Sequence, residues 1–166
     1  MKILKPEISI EQYSNPRELT AEDQRLLKEA EAAVSGSYAP YSEFHVGAAV
    51  LLENGIVIKG GNQENSAYPS GLCAERVALF YAGSQYPGVA VKAIAITAKA
   101  DHFVVNSPIA PCGACRQVIA ETEHRQQSKI RVIMYGQEGS VLATQGIENL
   151  LPLTFQEEKL KKKNKK

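Results

Sequence analysis

Cysteine is scarce in this chain: 166 residues contain three, Cys73, Cys112 and Cys115. An odd number cannot pair completely within one chain, and free thiols persist in reducing compartments, which argues against a disulfide framework. Long apolar runs are missing as well. No stretch approaches the roughly 20 residues of a membrane span. The opening "MKILKPEISIEQY" lacks the uninterrupted apolar segment of a secretory signal. The expectation is a cytoplasmic protein with no membrane partner. A phosphate-binding loop is also absent, because "GGNQEN" has neither the lysine nor the spacing of one. No internal repeat and no linker divides the sequence, and its length suits one domain with its own core.

Net charge is low, at +1, but unevenly spread. The last ten residues, "EEKLKKKNKK", hold six lysines against two glutamates, so the remainder carries about −3. A mildly acidic body gives no electrostatic reason to expect a nucleic-acid partner. The lysine run has no aromatic residue for stacking and no helical period, so residues 161–166 read as a solvated, disordered basic tail.

What the sequence does contain is a clear alternation of patterns. Residues 1–19, with two prolines and no period, read as an irregular leader. "TAED" opens a helix with Thr20 as N-cap, Leu26, Leu27, Ala30, Ala33 and Val34 follow at helical spacing, and Gly36 stops it. "HVGAAVLLENGIVIKGG" predicts two strands around a tight turn at Asn54-Gly55. Further helices are predicted over about 72–82 and over "CGACRQVIAETE". "VKAIAITA" is a nearly continuous apolar run, which suits a strand buried on both faces. "IRVIMYG" and "SVLATQ" complete the set. Three helices and five strands in this order predict an α/β fold: a three-layer α/β/α sandwich around a mixed five-stranded sheet.

The cysteines fall in two short motifs, "GLCAER" and "PCGACR". Cys112 and Cys115 sit three apart where a helix begins, so both thiols share one face near the positive end of its dipole. Cys73 opens another helix. Two helix N-termini facing each other would present three thiolates to one metal ion, and soft thiolates in a reducing cell select zinc. A closed structural site would need His45, His102 or His124 as a fourth ligand, and none has motif-like spacing to the cysteines. An open, catalytic site with one position for water fits the ligand count better.

An open zinc needs a base. Glu75, two residues after Cys73, can serve; otherwise it is an ordinary first-turn glutamate stabilised by the helix dipole. Three thiolates outweigh the charge of one zinc ion, so a cation close by would keep the centre balanced. Arg76 and Arg116 each follow a cysteine motif, and either could donate to a thiolate sulfur; otherwise they are solvated helix arginines.

"CAE" followed by "PCGAC" matches the signature of zinc deaminases: a ligand, one spacer, the proton-carrying glutamate, then P-C-x-x-C. The chain further resembles the small cytidine deaminases of the homotetrameric class from about Leu27 to Leu160. "YAPYSEFHVGAAV", "GGNQENSAYPSGLCAERVAL", "SPIAPCGACRQVI" and "LLPLTF" carry the resemblance in order. It implies a cytidine deaminase-like domain over 20–160, with one Zn²⁺ on Cys73, Cys112 and Cys115 and Glu75 as the catalytic proton shuttle.

By the same resemblance, Phe44 forms an aromatic wall beside the pyrimidine, Asn62 and Glu64 bind the ribose hydroxyls, and Ala74 contacts substrate. Arg76 bonds a thiolate, while Tyr68 and Phe155 meet a neighbouring subunit's site. The implied activity is hydrolytic deamination of cytidine and 2′-deoxycytidine to their uridine counterparts, with release of ammonia, in pyrimidine salvage. Glu64 and the acidic body would repel phosphate, which favours a free nucleoside over a nucleotide or polymer. Three rivals remain at this point. One is a deaminase of another cytosine nucleoside such as blasticidin S, another is a non-catalytic zinc module with a basic tail that docks on RNA, and the third is a protein with three unrelated buried cysteines and no metal.

Overall fold

A computed structural model of the chain describes residues 1–156 and Leu160, so the basic tail expected over 161–166 lies outside the described residues. The regular elements are β1 (Glu11–Tyr13), α1 (Ala21–Ala33), β2 (Phe44–Leu52), β3 (Val57–Gly61), α2 (Ala74–Gln85), β4 (Val91–Ala100), α3 (Gly113–Gln126), β5 (Arg131–Met134) and β6 (Val141–Gln145). The strands form one sheet in the order β1-β6-β5-β4-β2-β3. β4 and β5 run parallel and the other neighbouring pairs are antiparallel.

Period-two alternation in the strands builds two cores. On one face, Val50, Leu52, Ile94, Ile96, Val132 and Met134 pack under α2 and α3 through Ala78, Leu79, Ile119 and Ala120. On the other, Ala49, Leu51, Ala93, Ala95 and Ile133 pack under α1 through Leu26, Leu27 and Ala30. This is the three-layer sandwich, and it explains the unbroken apolar run of β4: both of its faces are covered. Each fully buried Ile or Leu contributes about 1.5–3 kcal/mol relative to exposure.

The sheet has six strands, not the expected five. The additional one, β1, arises within the supposedly irregular leader and pairs antiparallel with β6, Gln12 opposite Leu142. Three residues are too few to show a period. Long-range partners fix β1 instead. Arg131 on β5 donates to Glu11 at 2.7 Å and to Asp23 on α1 at 2.9 Å, and Thr144 Oγ1 donates to the Ser9 carbonyl at 2.7 Å.

Element ends are sharpest where side chain and backbone act together. Thr20 Oγ1 accepts from the Asp23 N–H at 3.1 Å, which fixes the start of α1. In the β2–β3 hairpin Gly55 takes the positive φ, +84°, while Asn54 Oδ1 accepts from the Ile56 N–H. The connection is thus wider than a two-residue turn. Helix α2 begins at Ala74 rather than 72 because Leu72 exchanges both backbone hydrogen bonds with Gln63, at 2.9 Å each, and stays extended.

Two close approaches set the height of the helices above the sheet. A side chain on Gly47 would collide with the Ala30 carbonyl of α1. A Cβ on Gly60 would lie 2.5 Å from the Ala74 carbonyl and 2.8 Å from the Ala78 nitrogen of α2. Among the described residues, no helix is long and apolar enough to cross a membrane.

Candidate active site

Helices α2 and α3 both open on a cysteine. Cys73 is the N-cap of α2 and Cys112 the N-cap of α3, each extended (ψ 151° and 166°) and neither bonding its own helix backbone through the side chain. Their sulfurs are therefore free to turn toward each other. Cys115, in the first turn of α3, is fully buried. The Sγ atoms of Cys73 and Cys112 lie 3.7 Å apart, and those of Cys112 and Cys115 3.5 Å apart. All three ligand atoms fall within 4.8 Å of one another.

The donor set fits zinc. Tetrahedral sulfur ligands at about 2.3 Å from the metal stand about 3.8 Å apart, close to the spacings present, and a disulfide would need about 2.05 Å. No histidine joins the cluster among the described residues. His45 instead faces Ser37 Oγ at 2.7 Å and Asp101 at 3.5 Å, and His102 meets Glu43. Three protein ligands leave the fourth position of a tetrahedral ion for water.

The arginines divide. Arg76 Nη2 donates toward Cys73 Sγ at 3.7 Å and toward the Gly71 carbonyl at 3.5 Å, while its buried Nε has no partner among the described residues. Arg116 does not reach a sulfur. It donates to the Pro111 carbonyl at 2.8 Å and the Leu150 carbonyl at 2.7 Å, tying the turn at Leu150 to the entrance of α3. Without a metal, hydrogen bonds from Cys115 and then Arg76 pull the Cys73 thiol down to about 5. Sharing its proton with Cys73, together with burial, pushes Cys115 up.

Glu75, 4% exposed, stands in the first turn of α2 beside this cluster. Burial raises its pKa above the ordinary carboxylate value, and the negative charge at Cys73 adds to the rise. Cys73, Cys112, Glu75 and Arg76 line a cavity of about 630 Å³ that Asn62, Glu64 and Tyr68 also line.

Asn62, just past β3, donates to the Phe44 carbonyl at 2.9 Å and accepts from the Val46 N–H at 2.8 Å. One amide hydrogen remains for another partner. Glu64 Oε2 accepts from the Tyr41 and Ser42 N–H groups at 2.9 and 3.3 Å, and Oε1 accepts from Ser42 Oγ at 2.5 Å. These bonds, the Ser42 hydroxyl first, hold its pKa below the usual range. A donor on Asn62 and an acceptor on Glu64 in one cavity suit a hydroxyl, which needs one of each.

The remaining expected residues sit less centrally. Phe44, at the first position of β2, stacks on Phe103 with ring centroids 6.3 Å apart and is not among the residues lining the cavity. Ala74 is fully buried between Cys73 and Glu75, its carbonyl against Gly60. Tyr68 is 75% exposed, with its ring edge-on to Tyr41 at 6.2 Å. Phe155, 70% exposed, lies outside the cavity of its own chain, and its backbone is clasped by the Gln117 side chain of α3. Sequence reasoning missed Ser42 and Phe103. "YSEF" contains the serine, but a loop hydroxyl has no period to mark it.

Comparison with known proteins agrees with this geometry. A family model described as the cytidine and deoxycytidylate deaminase zinc-binding region matches residues 20–132. A curated cytidine deaminase of Sporosarcina psychrophila is 41% identical over 138 residues, covering 82% of this chain and 93% of that protein. One from Halalkalibacterium halodurans is 48% identical over 100 residues, 59% of this chain and 70% of that one. The crystal structure of cytidine deaminase from Burkholderia pseudomallei superposes with a TM-score of 0.69 at 40% identity, covering 82% of this chain and all of that one. That from Mycobacterium tuberculosis gives 0.62 at 32% identity, over 80% and 96%. With a family match over more than half its length and a three-thiolate cluster beside a buried glutamate, the chain belongs to the zinc-binding cytidine and deoxycytidylate deaminase family.

Proposed function

We propose that this chain hydrolyses cytidine and 2′-deoxycytidine to uridine and 2′-deoxyuridine, releasing ammonia. One observation carries the reading: a buried Glu75, its pKa raised by burial, and an open three-thiolate cluster share a cavity with a donor–acceptor pair suited to a sugar hydroxyl. The named relatives support the same activity.

Cys73, Cys112 and Cys115 would hold a zinc ion, which would supply the lowering of a water pKa toward neutrality. Glu75 does the proton work. It accepts a proton from the attacking water and delivers it to ring nitrogen N3, which makes C4 electrophilic as the water oxygen bonds there. It then carries the second proton, from the new C4 hydroxyl to the amino group, so the C4–N bond breaks and ammonia departs. A carboxylate whose pKa is raised by burial is suited to both acceptance and donation. Arg76 offsets the charge of the thiolates. Asn62 and Glu64 hold the sugar, so binding energy remote from C4 orients the ring. Phe44 as aromatic wall and Ala74 beside the ring rest on the family resemblance, since neither lines the cavity of this chain.

The wider reading is a cytoplasmic homotetramer in pyrimidine salvage, with residues 20–160 as the catalytic unit. The free thiols fit a reducing compartment, and the exposed Tyr68 and Phe155 are available to a neighbouring subunit's site. An ordinary sugar suits the Asn62–Glu64 pair, so a blasticidin S-like substrate is not favoured. The non-catalytic reading leaves the burial of Glu75 without a use.

The test is direct. Zinc is measured per chain, and the ultraviolet spectrum of cytidine is followed after protein is added. One zinc and conversion to uridine are expected; a zinc-loaded protein that leaves cytidine unchanged overturns the reading.

A further inference from the structure

We propose that Ser42 is a positioning residue for substrate: its hydroxyl aims the one acceptor site that Glu64 has left and ties that carboxylate to Phe44. The proposal rests on the reading of Glu64 as a sugar contact.

A carboxylate offers about four acceptor positions, two per oxygen. Both positions on Glu64 Oε2 are taken by backbone N–H groups, from Tyr41 and Ser42. On Oε1 one is taken by Ser42 Oγ at 2.5 Å. One position remains on Oε1 for a hydroxyl entering the cavity that Glu64 and Ser42 both line. Its direction is fixed by the bond from Ser42, because the backbone contacts clamp only the other oxygen.

The same hydroxyl oxygen accepts from the Phe44 N–H at 3.1 Å. Ser42 therefore joins the residue that reads the sugar to the first residue of β2. Asn62 closes the loop by donating to the Phe44 carbonyl. Glu43, between Ser42 and Phe44, adopts a left-handed φ of +54°, an unusual conformation for a residue with a side chain. It turns the chain so that Ser42 Oγ faces both partners. Ser42 itself is exposed, so packing does not account for its identity.

The experiment compares zinc-loaded wild type, Ser42→Ala, Ser42→Thr and Glu64→Gln on cytidine and on 2′,3′-dideoxycytidine, which lacks the 2′ and 3′ hydroxyls. If the latter turns over poorly, its inhibition constant is read instead. Ser42→Ala should raise KM for cytidine about tenfold with kcat changed less than about twofold, the loss of one bond to a charged acceptor. Its affinity for the dideoxynucleoside should not change. Ser42→Thr keeps the hydroxyl, with solvent space for the extra methyl, and should restore KM to within about threefold of wild type.

Three results overturn the inference: an unchanged KM in Ser42→Ala, an equal loss on both nucleosides, or no rescue by threonine. If Glu64→Gln also leaves KM for cytidine unchanged, the sugar-contact reading itself has failed. If Glu64→Gln weakens cytidine while Ser42→Ala does not, only the role of Ser42 has.

Discussion

Glu75 and Glu64 line the same cavity and are chemically the same side chain, yet their surroundings drive them in opposite directions. Glu75 is buried at a helix start beside thiolates, and desolvation raises its proton affinity. Glu64 lies half-buried in the loop after β3, and the hydrogen bonds it receives keep it ionised. One is suited to exchanging protons with a reacting ring, the other to accepting a bond without titrating. Environment, not residue type, assigns the two roles.

The largest way to break this contrast is Glu75→Gln. It should keep one zinc per chain and lower kcat by about 10³-fold, as expected for removal of a general acid–base group. Turnover within a few-fold of wild type would sink the proton shuttle. Glu64→Gln should act on the other parameter, raising KM for cytidine by about 10- to 100-fold with little change in kcat. Steady-state kinetics on both variants give the cross-comparison, and a fall in kcat alone for Glu64→Gln would erase the distinction.

A smaller effect concerns pH. Glu64 is held low by the Ser42 hydroxyl, then the Tyr41 and Ser42 N–H groups, with His45 nearby. A depressed pKa means the charged form persists as pH falls through the ordinary carboxylate value of 4.5, and is lost only below it. The ratio of KM for dideoxycytidine to KM for cytidine cancels protonation of the shared base. That ratio should stay level from neutrality down to about pH 5, because Glu64 titrates below the usual carboxylate range. A ratio already falling by about pH 6 would show that Glu64 is not held in its charged form.

The smallest effect belongs to a control at the far edge of the sheet. Deleting residues 1–13 removes β1 and the Arg131–Glu11 contact, leaving Arg131 with Asp23. A loss of about 1–3 kcal/mol in denaturant unfolding is expected. Both kinetic constants should remain as they were, since four strands separate β1 from β3. A changed KM would tie the leader to the cavity.

Much of this organisation was legible because it is local. The cap of α1, the apolar run of β4 and the cysteines at two helix starts are all written within a few consecutive residues. Glu75 stood out only through its cysteine neighbours. What escaped depends on partners distant in sequence. β1 exists because Arg131 and Thr144 hold it, over a hundred residues away. On their motifs alone Arg76 and Arg116 were equivalent and only the family resemblance singled out Arg76. The fold separates them, because Arg116 is claimed by carbonyls at Pro111 and Leu150 while Arg76 meets a sulfur. Ser42 gains its significance from Glu64, 22 residues on, through a fold no local pattern announces.

Gly60 faces the underside of α2, where a methyl group in its place would lie 2.5 Å from the Ala74 carbonyl oxygen. The first turn of that helix carries both Cys73 and Glu75, so the missing side chain acts as a shim of zero thickness beneath the reacting groups. Gly60→Ala would force that turn to shift, because a Cβ cannot sit 2.5 Å from a backbone oxygen. A residue that never touches substrate would then detune the spacing between the carboxylate and the thiolate cluster. The spacing between Glu75 and the cysteine cluster is set partly by an atom that is not there.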